Sequence, residues 1–278
     1  PAVVAQALAH EASALPGEPF AADWTADEDV ARAAVRSGDA VAAVLVDVAA
    51  TRDVVLVNGG ADHALNTAVV DRITAVEEAR GRTLEVRELT LPGAVGAESA
   101  IRTYVLVCGM LGFGFVLGVS LVRGPVAASP TAGVHRLLSL AVASVLGAGV
   151  LQVLPATQLP GDFLPVVAIG AGYAFTLGAL TLAVEALAGL VGLVVVAATY
   201  FVLATPLLTG TSQYLLPPPW PTITSYLLTG ATQQALAGVT YLDPGHVLRP
   251  VLELTAVAVV AVLALGFARV MRRRAGPA

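Results

Sequence analysis

Hydrophobic and polar positions alternate in two different ways along this chain, and the change falls near residue 98. Before it, the pattern turns over every few residues. Asp27-Glu28-Asp29 precede Val30–Arg36, a short helix with acids at its positive end that Ser37-Gly38 stops. Ala40–Val48 (AVAAVLVDV) and Arg52–Val57 (RDVVLV) read as strands, the second closed by the turn cluster Asn58-Gly59-Gly60. Leu65, Val69, Ile73 and Val76 recur at helical spacing within Asp62–Arg80, with Gly81 placed as a C-cap. Thr83–Leu89 (TLEVREL) alternates apolar and charged residues, as a strand with one wet face does. The pattern predicts a small α/β domain over residues 1–98, with a β-α-β-β-α-β order.

After residue 98 the polarity collapses. Five segments approach the ~20 apolar residues that a bilayer core requires: Thr103–Val122, Leu137–Leu154, Leu164–Ala186, Leu187–Leu208 and Val251–Ala268. The third and fourth come from one apolar run, Phe163–Leu208. As a single helix that run would measure roughly 69 Å, more than twice a ~30 Å bilayer core. It must turn, and Glu185 with Gly189 and Gly192 marks the place. The predicted fold is therefore an α-helical polytopic membrane bundle over residues 99–278, joined to the small α/β domain.

Charge separates the two regions further. Residues 1–98 hold 16 of the 20 acidic and 7 of the 15 basic residues, whereas residues 99–278 hold 4 acids and 8 Arg. With five spans, Arg123, Arg136, Arg269 and Arg272–Arg274 share one side, and only Arg102 and Arg249 flank spans on the other. The positive-inside rule makes the Arg-rich side cytoplasmic and places the acidic domain outside it. The chain opens at Pro1 without Met or a signal-peptide pattern. An odd number of spans behind an outside N-terminus leads us to expect one more spanning helix ahead of Pro1, six in the full protein.

Composition agrees with a membrane protein: 56% hydrophobic, 13% charged, mean hydropathy +0.80. A net charge of −5 with no basic stripe before the tail argues against a nucleic-acid partner. The single Cys, Cys108, excludes an intrachain disulfide, and the four His show no metal-ligand spacing. Neither a G-x-S-x-G pattern nor another nucleophile–base set is present, so an enzyme, a cofactor and a metal are not expected.

The segment 209–249 is too Pro-rich to span and too apolar for a free loop. Pro217–Pro221 reads as an extended corner, with Trp220 at headgroup level. Tyr226–Tyr241 reads as a short amphipathic helix, ended by Asp243-Pro244-Gly245, that lies in the outer interface or dips into it.

This layout resembles type 2 ABC transporter permeases, most closely their phage-infection-protein-like branch. Asp29–Val46 (DVARAAVRSGDAVAAVLV) is similar to a segment of that family's extracytoplasmic domain. Leu207–Tyr241, with Leu216-Pro217 and Trp220, resembles its Gly-rich and Leu-Pro segment before the last span. Thr209-Gly210-Thr211 stands where Ser-Gly-Gly is the family's pattern, and Leu228-Thr229 stands for a second Leu-Pro. The resemblance implies a bacterial cytoplasmic-membrane export permease. Its partners would be membrane lipids, a second copy or homologous permease, and a separate ATP-binding subunit. A Walker A motif within this chain is impossible, because the chain has no Lys. A membrane-anchored receptor or scaffold, with the α/β domain as its working part, stays open beside this reading.

Candidate path residues follow from polarity in apolar surroundings. Glu185 is an acid inside an apolar run, which marks either a proton or substrate group or the hairpin turn. Gln152, Tyr173 and Thr176 face a substrate or bond across helices. Trp220, Gln233 and Gln234 belong to the re-entrant or interfacial segment. Arg249 and Glu253, four apart, pair at the start of the last span or form a polar mouth. Gly109, Gly112, Gly114, Gly118, Gly147 and Gly149 suggest tight helix packing, Gly114-x-x-x-Gly118 by motif.

Overall fold

A computed structural model describes residues 2–13, 21–61, 63–89, 96–124, 130–208, 220–242 and 247–274. Two compact units result: Pro1–Gly96 with Tyr241–Asp243, and Ala97–Thr240 with Pro244–Ala278.

In the first unit, α1 (Ala2–Ser13) and α2 (Glu28–Ser37) precede β1 (Ala42–Leu45), β2 (Arg52–Val57), α3 (His63–Ala79) and β3 (Thr83–Glu88). Asp27 caps α2, its carboxylate accepting the Asp29 N–H at 2.8 Å, and Gly38 ends the helix with φ of 81°. Strand β2 is central, antiparallel to β1 and parallel to β3. A parallel pair needs a crossover, and α3 supplies it. Val55, Leu56 and Val57 of β2 pack with Val35 and Leu65 as the buried core. The described residues contain no strand ahead of α2, so the expected β-α-β-β-α-β order is corrected to α-α-β-β-α-β. The sequence offered no alternating run there, only the Pro-, Gly- and acid-rich stretch before Glu28.

The second unit is helical: α4 (Ala97–Arg123), α5 (Pro130–Val153), α6 (Phe163–Leu208), α7 (Trp220–Ser225), α8 (Leu228–Thr240) and α9 (Leu248–Arg274). Four of these, α4, α5, α6 and α9, are long and apolar enough to cross a membrane. Helix α6 is interrupted at Gly189, whose φ of 65° and ψ of −148° belong to a region open almost only to glycine. Tyr173 and Tyr200, 27 residues apart on α6, would stand about 40 Å apart on a straight helix. Their hydroxyls meet at 2.9 Å. The chain therefore doubles back at Gly189, and α6 is two antiparallel arms.

Contacts fix the direction of the remaining helices. The Tyr104 hydroxyl donates to the carbonyls of Ala148 and Val166 at 3.3 and 3.5 Å, tying α4 and α5 to the start of α6. Further along, a Cβ at Gly112 would meet the Ala174 carbonyl, and one at Gly178 the Leu140 side chain. Helix α4 thus runs parallel to the first arm of α6, with α5 antiparallel to both. Gly109, Gly112 and Gly147 sit at close approaches, but a Cβ at Gly114, Gly118 or Gly149 would meet nothing within 4 Å. The Gly114-x-x-x-Gly118 motif is not a packing seam in this unit. The seam lies on the Gly109–Gly112 face instead, where side chains and backbone of α6 press in.

The segment before α9 also departs from expectation. Trp220 and Pro221 begin α7 rather than an extended corner, since a first helical turn tolerates proline, whose missing N–H is unbonded there anyway. Pro217–Pro219 and Asp243-Pro244-Gly245 lie outside the described residues. Helix α8 is buried along most of its length, packed against α4, α6 and α9, not laid on a surface. Its residues are small, and Thr232 and Thr240 donate their hydroxyls back to the carbonyls of Leu228 and Leu236 at 2.6 and 2.8 Å. Such a helix is packable on all sides.

Candidate functional site: polar groups inside the helical unit

The α6 hairpin places two tyrosines opposite each other, and α8 brings Thr229 to them. Tyr173, fully buried, donates to the Tyr200 hydroxyl at 2.9 Å and lies 3.4 Å from the Thr229 Oγ1. Tyr173 is ten residues beyond Phe163, about 15 Å along the helix. At the other end of α8, a Cβ on Gly161 would meet the Val239 carbonyl, close to the start of α6. Helix α8, 13 residues long, therefore reaches from one end of the helical unit to its middle and stops beside a hydroxyl cluster. Thr229 and Tyr200 were not among the sequence candidates. Tyr200 was legible as a hydroxyl within the Phe163–Leu208 run, whereas Thr229 needed the tertiary packing of α8.

A second polar place lies near the turn. Glu185 is fully enclosed, and neither carboxylate oxygen has a hydrogen-bond partner. The nearby Ser120 hydroxyl on α4 is also buried without a partner. Arg136 of α5 is the cation whose charge reaches Glu185, but its guanidinium is turned to the end of α4, donating to the Gly124 carbonyl at 3.0 Å and the Arg123 carbonyl at 3.4 Å. Around them, Val116, Leu140, Leu182, Ala183, Ala186, Leu193, Ala261 and Leu265 form one apolar cluster drawn from α4, α5, α6 and α9.

The other candidates serve different ends. Gln152 is buried and clamps the α5–α6 connection: its Nε2 donates to the Leu159 carbonyl at 2.8 Å, and its Oε1 accepts the Leu159 N–H at 3.1 Å. Thr176 donates to the Gly172 carbonyl of its own helix at 2.7 Å. Gln233 is half-buried with its Nε2 unpaired, and Gln234 is exposed. Trp220 is half-buried at the head of α7. Arg249 and Glu253 meet at 2.9 Å in an exposed pair, with Pro250 in the first turn of α9. The structure brings together Tyr173 and α8 but not Gln152 or the Arg249–Glu253 pair.

In the first unit the polar centre is Arg82. It makes a paired contact with Asp53 of β2, at 2.6 and 2.7 Å, and lies 3.8 Å from Glu77 of α3. Burial alone would raise the Asp53 carboxyl, but the Arg82 hydrogen bond, the Asp47 N–H and the Arg82 charge together hold it below its usual value. Glu77 is pushed up, first by burial and then by the negative charge of Asp53. Asn58 is used by the backbone: its Oδ1 accepts the Gly60 N–H at 2.9 Å, so Asn58-Gly59-Gly60 is a pinned turn. Among the described residues no group of three His, Cys, Asp or Glu is placed to hold a metal ion.

No family model matches this chain, and no curated protein or solved structure shows significant similarity to it. The class of protein rests on the molecule itself: a helical unit with membrane-length apolar helices, beside a small three-stranded α/β unit.

Proposed function

We propose that this chain is the membrane permease subunit of a bacterial exporter, moving an amphiphilic or lipid-like substrate outward with energy from a separate ATP-binding subunit. In this reading the two arms of α6 each cross the bilayer, giving five spans, and Arg123, Arg136 and the C-terminal Arg residues face the cytoplasm. The acidic α/β unit then lies outside, and a second copy or a homologous permease completes the path. The layout's resemblance to type 2 ABC transporter permeases supports the reading.

The observation that carries it is α8. A helix too short to span, buried among long apolar helices with one end at the Tyr173–Tyr200–Thr229 hydroxyls, leaves unbonded backbone groups at its ends, which membranes tolerate where protein covers them or a path runs. An apolar lining of Ala, Val, Leu and Gly with few polar groups favours an amphiphile over a sugar or an ion.

Gentle detergent extraction of the full protein from its native membrane tests this. Co-purification of a nucleotide-binding polypeptide, with ATP hydrolysis that added phospholipid or detergent-like amphiphile stimulates, is the expected result. A monomer without an ATPase would overturn the permease reading and leave the membrane-anchored receptor.

A further inference from the structure

Glu185 poses a problem that the transport reading does not resolve. A carboxylate stripped of water is strongly disfavoured unless it is paired and hydrogen-bonded. Glu185 has neither: it is fully enclosed, and both oxygens lack partners. On α4 the polar neighbour is Ser120, itself unpaired. On α5 it is Arg136, engaged with the Arg123 and Gly124 carbonyls, while His135 is exposed. The returning arm of α6 presents Leu193, and α9 presents Ala261, Leu265 and Ala268. Arg123 is exposed, and the side chains of Arg269 and Arg272–Arg274 lie outside the described residues.

We propose that Glu185 is a proton-binding site of the helical unit, holding one proton in the packing seen here and releasing it only when Arg136 leaves the end of α4 to pair with the carboxylate. With the proton on, the carboxyl is neutral and needs no cation in this apolar surrounding, with the Ser120 hydroxyl as its polar neighbour on α4. With the proton off, passed to water at the Arg-bearing end, the negative charge demands a cation, and Arg136 is the described one within its field. Its departure frees the last carbonyls of α4, so a proton coming or going is felt at the α4–α5 junction. The site stands on the packing of the bundle and does not rest on the export reading. It would give the chain a way to respond to a proton gradient without nucleotide.

The test is infrared spectroscopy of the full protein reconstituted in phospholipid vesicles at pH 7, comparing wild type with Glu185→Gln. The expected difference spectrum loses the carbonyl stretch of an undissociated carboxylic acid. Loss of the paired carboxylate stretches instead would overturn the proposal. Arg136→Gln, which leaves Glu185 in place, separates the two cases again. The acid band persists in that variant if the proton already neutralises Glu185, and it appears there for the first time if Arg136 does so. Glu185→Gln matches the neutral acid in size and is expected to keep the wild-type melting temperature. A loss of more than tenfold in folded yield for this variant alone would contradict the neutral resting state.

Discussion

Arg82 shows how much one side chain can hold in a small domain. It neutralises Asp53 near the start of the central strand, 29 residues away in sequence, and reaches Glu77 at the end of the crossover helix. Removing it would leave Asp53 buried without its cation and Glu77 with Arg80 alone, so Arg82→Ala is expected to lower the stability of the first unit. The measurement is the urea midpoint for proteolytic cleavage within β2–β3 in the full chain. The pH dependence has two arms of opposite sign. Glu77, raised above its ordinary 4.5, binds its proton more readily folded than unfolded, so stability rises as pH falls toward that value. Asp53, held below its ordinary 3.8, supplies stability above that value, lost as the pH falls further. Midpoints taken from pH 7 downward should therefore pass through a maximum in the mildly acidic range. Glu77→Gln removes the rise and keeps the fall.

The same scale covers the tyrosine pair. Tyr173→Phe and Tyr200→Phe remove the two ends of one buried hydrogen bond, and a double-mutant cycle on thermal melting should return a coupling near 1 kcal/mol. A coupling of zero would mean that the two arms of α6 do not meet there.

Among the elements, helices and strands were legible wherever a periodic face was long enough to repeat: α2 with its acidic start and Gly38 stop, β2, β3, and the four apolar helices. What the pattern could not reveal was which face met which. Gly114 and Gly118 match a close-packing motif, yet the approach runs along Gly109 and Gly112, because the position of α6 and not the spacing of glycines decides the seam. Helix α8 was legible as a helix, but its burial was not, since Thr and Gly look alike on a wet face and in a tight interface. Glu185 was visible as an anomaly, and its orphaned carboxylate required the surrounding helices. These distinctions predict unequal outcomes for one substitution. Gly112→Ala should destabilise the bundle, because its Cβ would strike the Ala174 carbonyl. Gly114→Ala and Gly118→Ala should be neutral or stabilising by up to about 1 kcal/mol, the helix propensity difference. Gly189→Ala should cost about 1–3 kcal/mol for its backbone angles alone. Melting temperatures of the four variants in one detergent rank them directly.

At the scale of the whole molecule, the Arg residues of the helical unit other than Arg102 and Arg249 gather at the end where α4 stops, α6 turns and α9 finishes. The central claim is that α6 crosses the membrane twice, which puts the Gly189 turn on the Arg-bearing side and the α5–α6 connection on the other. Single cysteines introduced into a Cys108→Ala background answer this, using a membrane-impermeant maleimide on intact cells and then on opened membranes. Gln158→Cys and Thr25→Cys, both exposed, are predicted to label in intact cells. Ala188→Cys, exposed beside the turn, is predicted to label only once the membrane is opened. Labelling of Ala188→Cys and Gln158→Cys from the same side would contradict the account.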